Sequence, residues 1–409
     1  MNKGVSDMIN KEQLNGVCGC TYISYKAKNQ LNIHIPKGSL TELVETLQNS
    51  LSDYQIVAVG TYGRYSTKGL FSAVAKVLGV SGDKIEWLTE MMPRHSKSVF
   101  AAIMQSIDFS CFALEDYLYS AAVSITSDLE GIFEHSGHMP TVFAIIPKNA
   151  PLPIVLRSQA MPNCQFDLQA SEKLGYPILN IFELDALLDM QNCLARIKEN
   201  RGLSIDPDTI PLNDAITYAM IAKSDTAGVF HLDTSRTQQA LQKFMPCCFN
   251  ELMAFIVFNA PKPDKRINDY MNRRRDKQAY PHPILKDILA DTYGMIIYHE
   301  QTIALLQQIS GYNYEEAKHF KRVLIHGKPK DLKLIFETFA AKALENGITE
   351  PIINHVLSLL KRYGRAAFPK YHAMTLTKIA YHCAWLKANF SAEFNEIFKD
   401  TKTGSKEES

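Results

Sequence analysis

The chain has 409 residues, is 46% hydrophobic and carries a formal net charge of +1; it is long enough to bury substantial cores and suggests two or three domains. No apolar run approaches the roughly 18 residues of a membrane span, and the opening MNKGVSDMINKEQ lacks a signal-peptide core, which predicts a soluble, cytoplasmic protein with no membrane partner. Near-zero charge removes any case for nucleic-acid binding from global charge, so such a partner needs a local basic face; eight cysteines, Cys18-x-Cys20 and Cys247-Cys248 among them, lack the two-plus-two spacing of a zinc site and read as ordinary reduced thiols.

Residues 1–28 show no clear period. Residues 30–35 (QLNIHI) alternate polar and apolar, the signature of a strand with one buried face, and Pro36 and Gly38 end it. Leu43, Leu47 and Leu51 mark a helix, and residues 54–59 (YQIVAV) a second strand. From Thr61 to about Glu134 the pattern is helical: Phe71, Val74, Val77 and Leu78 share a face, Gly79 stops it, Ser81 is a candidate cap, and Pro93 separates further helices. Residues 141–146 and 178–182 read as strands again, so a helical insert interrupts a sheet.

Beyond residue 190 helical spacing dominates. In 292–311 (TYGMIIYHEQTIALLQQISG), Tyr298, Thr302, Leu305, Leu306 and Ile309 form one buried face with Gly311 as its stop. Leu332, Ile335, Phe336, Phe339 and Ala343 form another stripe closed by Gly347, Thr349 and Pro351 open the next helix, and a long helix spans about 373–388. The last residues, KDTKTGSKEES, offer nothing apolar to pack and predict a disordered tail.

Short blocks recur in a fixed order through 29–394: Thr61-Tyr62-Gly63, Gln165-Phe166-Asp167, Lys198-Glu199-Asn200-Arg201-Gly202, Ile210-Pro211-Leu212, Tyr280-Pro281-His282-Pro283, the TYGMIIYHEQ stretch, Lys321-Arg322, Phe368-x-Lys370-x-His372 and Ala384-Trp385-Leu386-Lys387-Ala388. Together they make the chain resemble the bacterial DNA polymerase III alpha subunit, the C-family replicative polymerase. The resemblance implies an α+β chain, with a small mixed palm-like sheet (1–60 and 141–190), a helical thumb-like insert (61–140), a mostly helical fingers-like domain (191–398) and the tail (399–409). It also implies that the family's phosphoesterase, clamp-binding and OB-fold parts are missing.

The departures bear on activity. The positions that fall on the three aspartates of the family's first palm strand are Gln30, Asn32 and His34, and the further catalytic aspartate falls at Asn180. An arginine that serves the incoming nucleotide falls at Asn259, and a Gly-Ser phosphate loop has no counterpart in the short N-terminus. Two-metal transfer needs anionic oxygens that hold two dications together. Each lost carboxylate removes on the order of 8 kcal/mol of gross attraction for a dication at about 4 Å and an effective dielectric near 20. No metal site and no cofactor are therefore expected, although the family uses Mg2+. Glu183 and Asp185 are too few to rebuild the site from one strand, and His138 is read as structural.

Basic residues are the better candidates: Arg273, Arg274, Arg275, Lys321, Arg322 and Lys370 as DNA contacts, within a wider set that includes Lys262, Lys265, Arg266 and Lys277. The resemblance thus implies a catalytically inactive relative, not an enzyme, that binds primer-template DNA or a replication protein. The alternatives are an active DNA-directed polymerase with a rebuilt site or a partner chain, and a protein-interaction scaffold without DNA affinity.

Overall fold

The computed structural model describes residues 8, 9, 14, 20–27, 29–94, 96–150, 156–158, 161–259, 264–276 and 280–404. In chain order the first elements are β1 (Tyr22–Ala27), β2 (Gln30–Pro36), α1 (Leu40–Ser50), β3 (Tyr54–Arg64), α2 (Thr67–Val77) and α3 (Gly82–Met91). There follow α4 (Val99–Gln105), α5 (Ile107–Glu115), α6 (Tyr117–Asp128), β4 (Phe133–Pro147), β5 (Leu156–Ser158), β6 (Met161–Asp167), α7 (Leu168–Lys173) and β7 (Ile178–Leu184). From there the elements are α8 (Asp185–Arg201), α9 (Ala215–Ala222), α10 (Ser235–Phe244), α11 (Phe249–Asn259), α12 (Arg266–Arg275) and α13 (Pro283–Leu289). The last are α14 (His299–Ser310), α15 (Tyr314–His326), α16 (Pro329–Glu345), α17 (Glu350–Tyr363), α18 (Lys370–Asn389) and α19 (Ser391–Gly404). The chain is α+β, and it divides into two compact units, 51–179 and 1–50 with 180–409.

In unit 51–179 the strands lie in the order β4-β3-β6-β5, with β3 antiparallel to β4 and parallel to β6. Val57, Val59, Val142, Ala144 and Ile146 supply its apolar face. Gly60 is required on β3, because a Cβ there would stand 2.5 Å from the Cys164 carbonyl oxygen of β6. Helices α2 to α6 build a separate core around Phe71 and Phe109, whose rings meet edge to face at 5.6 Å. Ser66, Ser98, Ser106 and Asp116 cap α2, α4, α5 and α6 through their side chains. Helix begins at Thr67, later than the sequence pattern suggests, because β3 runs on to Arg64 and β4 starts at Phe133. Residues 133–138 of β4 are exposed on both faces, so no apolar alternation marks them as strand. His138 sits there, paired in register with Gly60.

In the other unit β1, β2 and β7 are neighbours in that order. β1, unassigned from sequence, pairs antiparallel with β2, placing Ser24 opposite Asn32 and Tyr22 opposite His34. Leu31, Ile33 and Ile35 form the fully buried apolar face of β2. The opposite face is buried too, Asn32 being 6% and His34 2% exposed, where alternation had suggested a solvated side. The helices after β7 share one large core with Phe244, Phe255, Tyr270, Tyr298 and Tyr381 at its centre. Within it α14 buries Thr302, Leu305, Leu306 and Ile309 and ends at left-handed Gly311. Gln301 fixes its start, accepting hydrogen bonds from the Ile297 and Tyr298 amides at 2.9 and 3.0 Å. α19 continues through Gly404, helical where the tail was expected to be disordered, since Phe394 and Ile397 anchor its start to the core; residues 405–409 lie outside the described residues. No helix among the described residues is long and apolar enough to cross a membrane.

Candidate functional site

The face of the sheet carrying Asn32, His34 and Asn180 is built from β2, β7 and the start of α18. Asn32 and Asn180 come from neighbouring strands and point to one side, where Asn180 Nδ2 donates to Asn32 Oδ1 at 2.9 Å. An amide pair satisfies itself, one group donating and the other accepting, and is worth about 1 kcal/mol when sheltered. Two carboxylates at about 3 Å would repel by about 5 kcal/mol at an effective dielectric near 20 unless a cation or a shared proton lay between them. The two uncharged amides therefore meet without needing a cation between them. Gln30 lies half-buried at the start of the same strand.

His34 completes the neutral surface. Its ring stacks on Phe182 of β7 at 5.0 Å and on His372 of α18 at 6.1 Å, and His372 stacks in turn on Phe368 at 5.6 Å. Burial, with His372 adding to it and a hydrogen bond to the Tyr22 backbone opposing, drives the His34 pKa down to about 4; burial also lowers His372. Both imidazoles are therefore uncharged at neutral pH. A column of rings, Phe182, His34, His372 and Phe368, thus fills this side of β2.

The nearby acids are engaged elsewhere. Glu183 Oε1 accepts from the Gly38 and Leu40 amides at 2.7 and 3.3 Å, holding the entry to α1, and Asp185 pairs with Lys37 at 2.9 Å on the surface. Asn259, at the end of α11, donates to Thr237 Oγ1 at 2.8 Å. Among the described residues the one grouping of metal-capable side chains is Cys247, Cys248 and Glu251, none of it on β2 or β7.

The basic candidates divide. Arg274 is folded inward: its side chain is 23% exposed, pairs with Glu251 at 3.0 Å, donates to the Phe244 carbonyl at 2.7 Å and lies over the Phe244 ring. Arg273 is half-buried, near the Gly294 carbonyl and the Tyr363 ring. Arg266 likewise turns to Asp264 and to the Ala366 carbonyl. Arg275 on α12 and Arg322 on α15 are exposed. Lys262 and Lys277 lie outside the described residues.

Lys321 within α15 and Lys370 at the start of α18 are each placed near Glu300, in the first turn of α14. Tyr298 and Phe368 pair in parallel, His299 N donates to the Phe368 carbonyl at 2.9 Å, and Lys370 N donates to Glu300 Oε2 at 2.9 Å, so α14 and α18 start side by side. Lys370 Nζ lies over the Tyr298 ring. Burial lowers the Lys321 pKa against the pull of Glu300, and burial together with Lys321 takes His299 down to about 4. Glu300 already supplies an anion to the start of α18 through the Lys370 amide. The sequence held no signal for the His34 contacts with Phe182 and with His372 of α18, because spacing within one segment says nothing of which distant segment covers it.

Comparison with known proteins accounts for most of the chain. Residues 30–179 match the family described as the bacterial DNA polymerase III alpha NTPase domain, and residues 186–347 match the bacterial DNA polymerase III alpha subunit finger domain. The DNA polymerase III subunit alpha of Thermus aquaticus is 25% identical over 364 residues, covering 86% of this chain and 30% of that protein. Those of Staphylococcus epidermidis and Staphylococcus aureus are 23% and 25% identical over 89% and 86% of this chain, and 35% and 33% of their own lengths. The chain thus spans about a third of the length of the curated relatives it matches.

Proposed function

Because this chain belongs to the family of bacterial DNA polymerase III alpha subunits, a replicative polymerase family, we propose that it is a noncatalytic member that binds primer-template DNA. The Asn32 to Asn180 hydrogen bond carries this reading: where the family resemblance places metal-holding carboxylates, two amides hold each other. The His34 column supports it, since a neutral, ring-filled surface attracts neither Mg2+ nor a triphosphate. What is left for a nucleic acid is phosphate contact without base reading, from Arg275, Arg322, Lys321 and Lys370. Such a role suits a cytoplasmic protein working beside replication proteins.

Salt-titrated binding of a labelled primer-template tests it. Wild type is expected to bind with an affinity that falls steeply with salt and is indifferent to sequence. Arg275→Ala and Arg322→Ala, whose side chains pair among the described residues with exposed neighbours, should each flatten the log-log salt slope by about one unit for every phosphate no longer neutralised. Absence of binding at low salt would refute the DNA reading and favour a scaffold for a replication protein.

A further inference from the structure

Two adjacent thiols at the entry to α11 are used by neither the sheet face nor the basic surface. Cys247 and Cys248 are exposed, and the Cys248 carbonyl accepts the first hydrogen bond of the helix from Leu252 N at 3.0 Å. That turn brings Glu251 beside them, so the two Sγ atoms and a Glu251 carboxylate oxygen all lie within 4.8 Å of one another. The thiols border a cavity of about 340 Å³ that Leu212, Asn213 and Tyr218 also line. Glu251 is only 3% exposed and does not swing freely. Its Oε2 accepts from the Cys247 amide and from Arg274, each at 3.0 Å, and its Oε1 accepts from the Tyr293 hydroxyl at 2.8 Å, which leaves Oε1 a lone pair.

We propose that Cys247, Cys248 and Glu251 form a binding site for a thiophilic divalent cation of the Zn2+ type, with two thiolates and one carboxylate oxygen as ligands and the fourth position open to the cavity. Zn–S bonds of about 2.3 Å and Zn–O bonds of about 2.0 Å place tetrahedral ligands roughly 3.5 to 3.8 Å apart. Closing from the observed spread needs about 1 Å of movement, which exposed cysteine side chains supply by rotation. Charge balances as well: two thiolates and one carboxylate face one dication and the Arg274 guanidinium, and the two thiol protons leave to solvent. The pre-set, buried carboxylate distinguishes this cluster from a chance pair of surface cysteines, and it was invisible as a metal pattern because Cys-Cys-x-x-Glu lacks the familiar zinc spacing.

The test is titration of the reduced full chain with Co2+ followed by displacement with Zn2+. One equivalent is expected, with thiolate-to-metal charge-transfer absorption and the bands of tetrahedral cobalt. Losing even outer-shell partners costs 10–100-fold in metal affinity, so Cys247→Ser and Cys248→Ser should each weaken binding by about a hundredfold or more, whereas Cys111→Ser leaves it unchanged. Thermal melts identify any variant that fails to fold, and the exposed cysteines keep the test independent of the buried Glu251. Absence of the thiolate band in wild type, or equal affinity in the variant carrying both serines, would overturn the proposal.

Discussion

Changing Gln30, Asn32 and Asn180 together to aspartate is expected to give a protein that takes up Mg2+ or Mn2+ and still fails to extend a primer. Without metal, the two new carboxylates at the Asn32 and Asn180 positions would stand at hydrogen-bonding distance and repel by about 5 kcal/mol at an effective dielectric near 20. The metal-free variant should therefore melt well below wild type. A dication relieves that repulsion, and at a hundred times its dissociation constant it returns about 2.7 kcal/mol. Melts with and without Mn2+ should show this gain in the variant and none in wild type. Turnover needs more than the ions: His34 and His372 occupy the adjoining space as neutral rings, and Asn259, which the resemblance aligns with the family's nucleotide arginine, is bonded to Thr237. Orientation of the reacting groups is worth roughly 7 to 11 kcal/mol, which charge at the metal site does not replace. Templated extension by the variant would show that the nucleotide site had survived.

Arg274→Ala should destabilise the protein by about 3 kcal/mol, because it leaves Glu251 as a buried carboxylate without its cation. The Glu251 side chain is 4% exposed and Arg274 is its ion-pair partner. Arg275→Ala, at a side chain that is 76% exposed and, among the described residues, pairs with its neighbours Asp276 and Asn272, should change stability by less than about 0.5 kcal/mol. The pair also sets a pH dependence. Burial pushes the Glu251 carboxyl up, but the Cys247 amide, the Tyr293 hydroxyl and Arg274 together outweigh it and leave the pKa below its ordinary value of 4.5. A depressed carboxyl stabilises the fold above its unfolded pKa, and that contribution is lost as pH falls through the lower folded value. Urea unfolding from pH 7 to pH 3 should show wild type losing this increment below about pH 4.5, and Arg274→Ala losing less of it. Equal stability of the Arg274 and Arg275 variants would mean that the pair contributes nothing.

The sequence was most readable where one periodic face meets one core. The alternation at 30–35 became β2, the spacing from Tyr298 to Ile309 became α14 with its Gly311 stop, and the stripe closed by Gly347 became α16. It was least readable where burial comes from distant chain. The polar side of β2 looks solvated until Asn180, Phe182 and His372 cover it, and β1 lay in a stretch without period. Charge was the second blind spot: Arg273, Arg274 and Arg275 form one basic run, yet a helix turns them different ways, so Arg274 reaches Glu251 while Arg275 stays in solvent. The substituted aspartate positions came from family resemblance alone; that Asn32 and Asn180 bond to each other needed coordinates.

The most direct measurement is primer extension by wild type on a labelled primer-template, with Mg2+ and separately with Mn2+, beside a polymerase III alpha subunit as positive control. The neutral sheet face predicts no templated incorporation under either metal while the control extends; incorporation by wild type that tracks the template and is lost in Asn32→Ala would contradict the account.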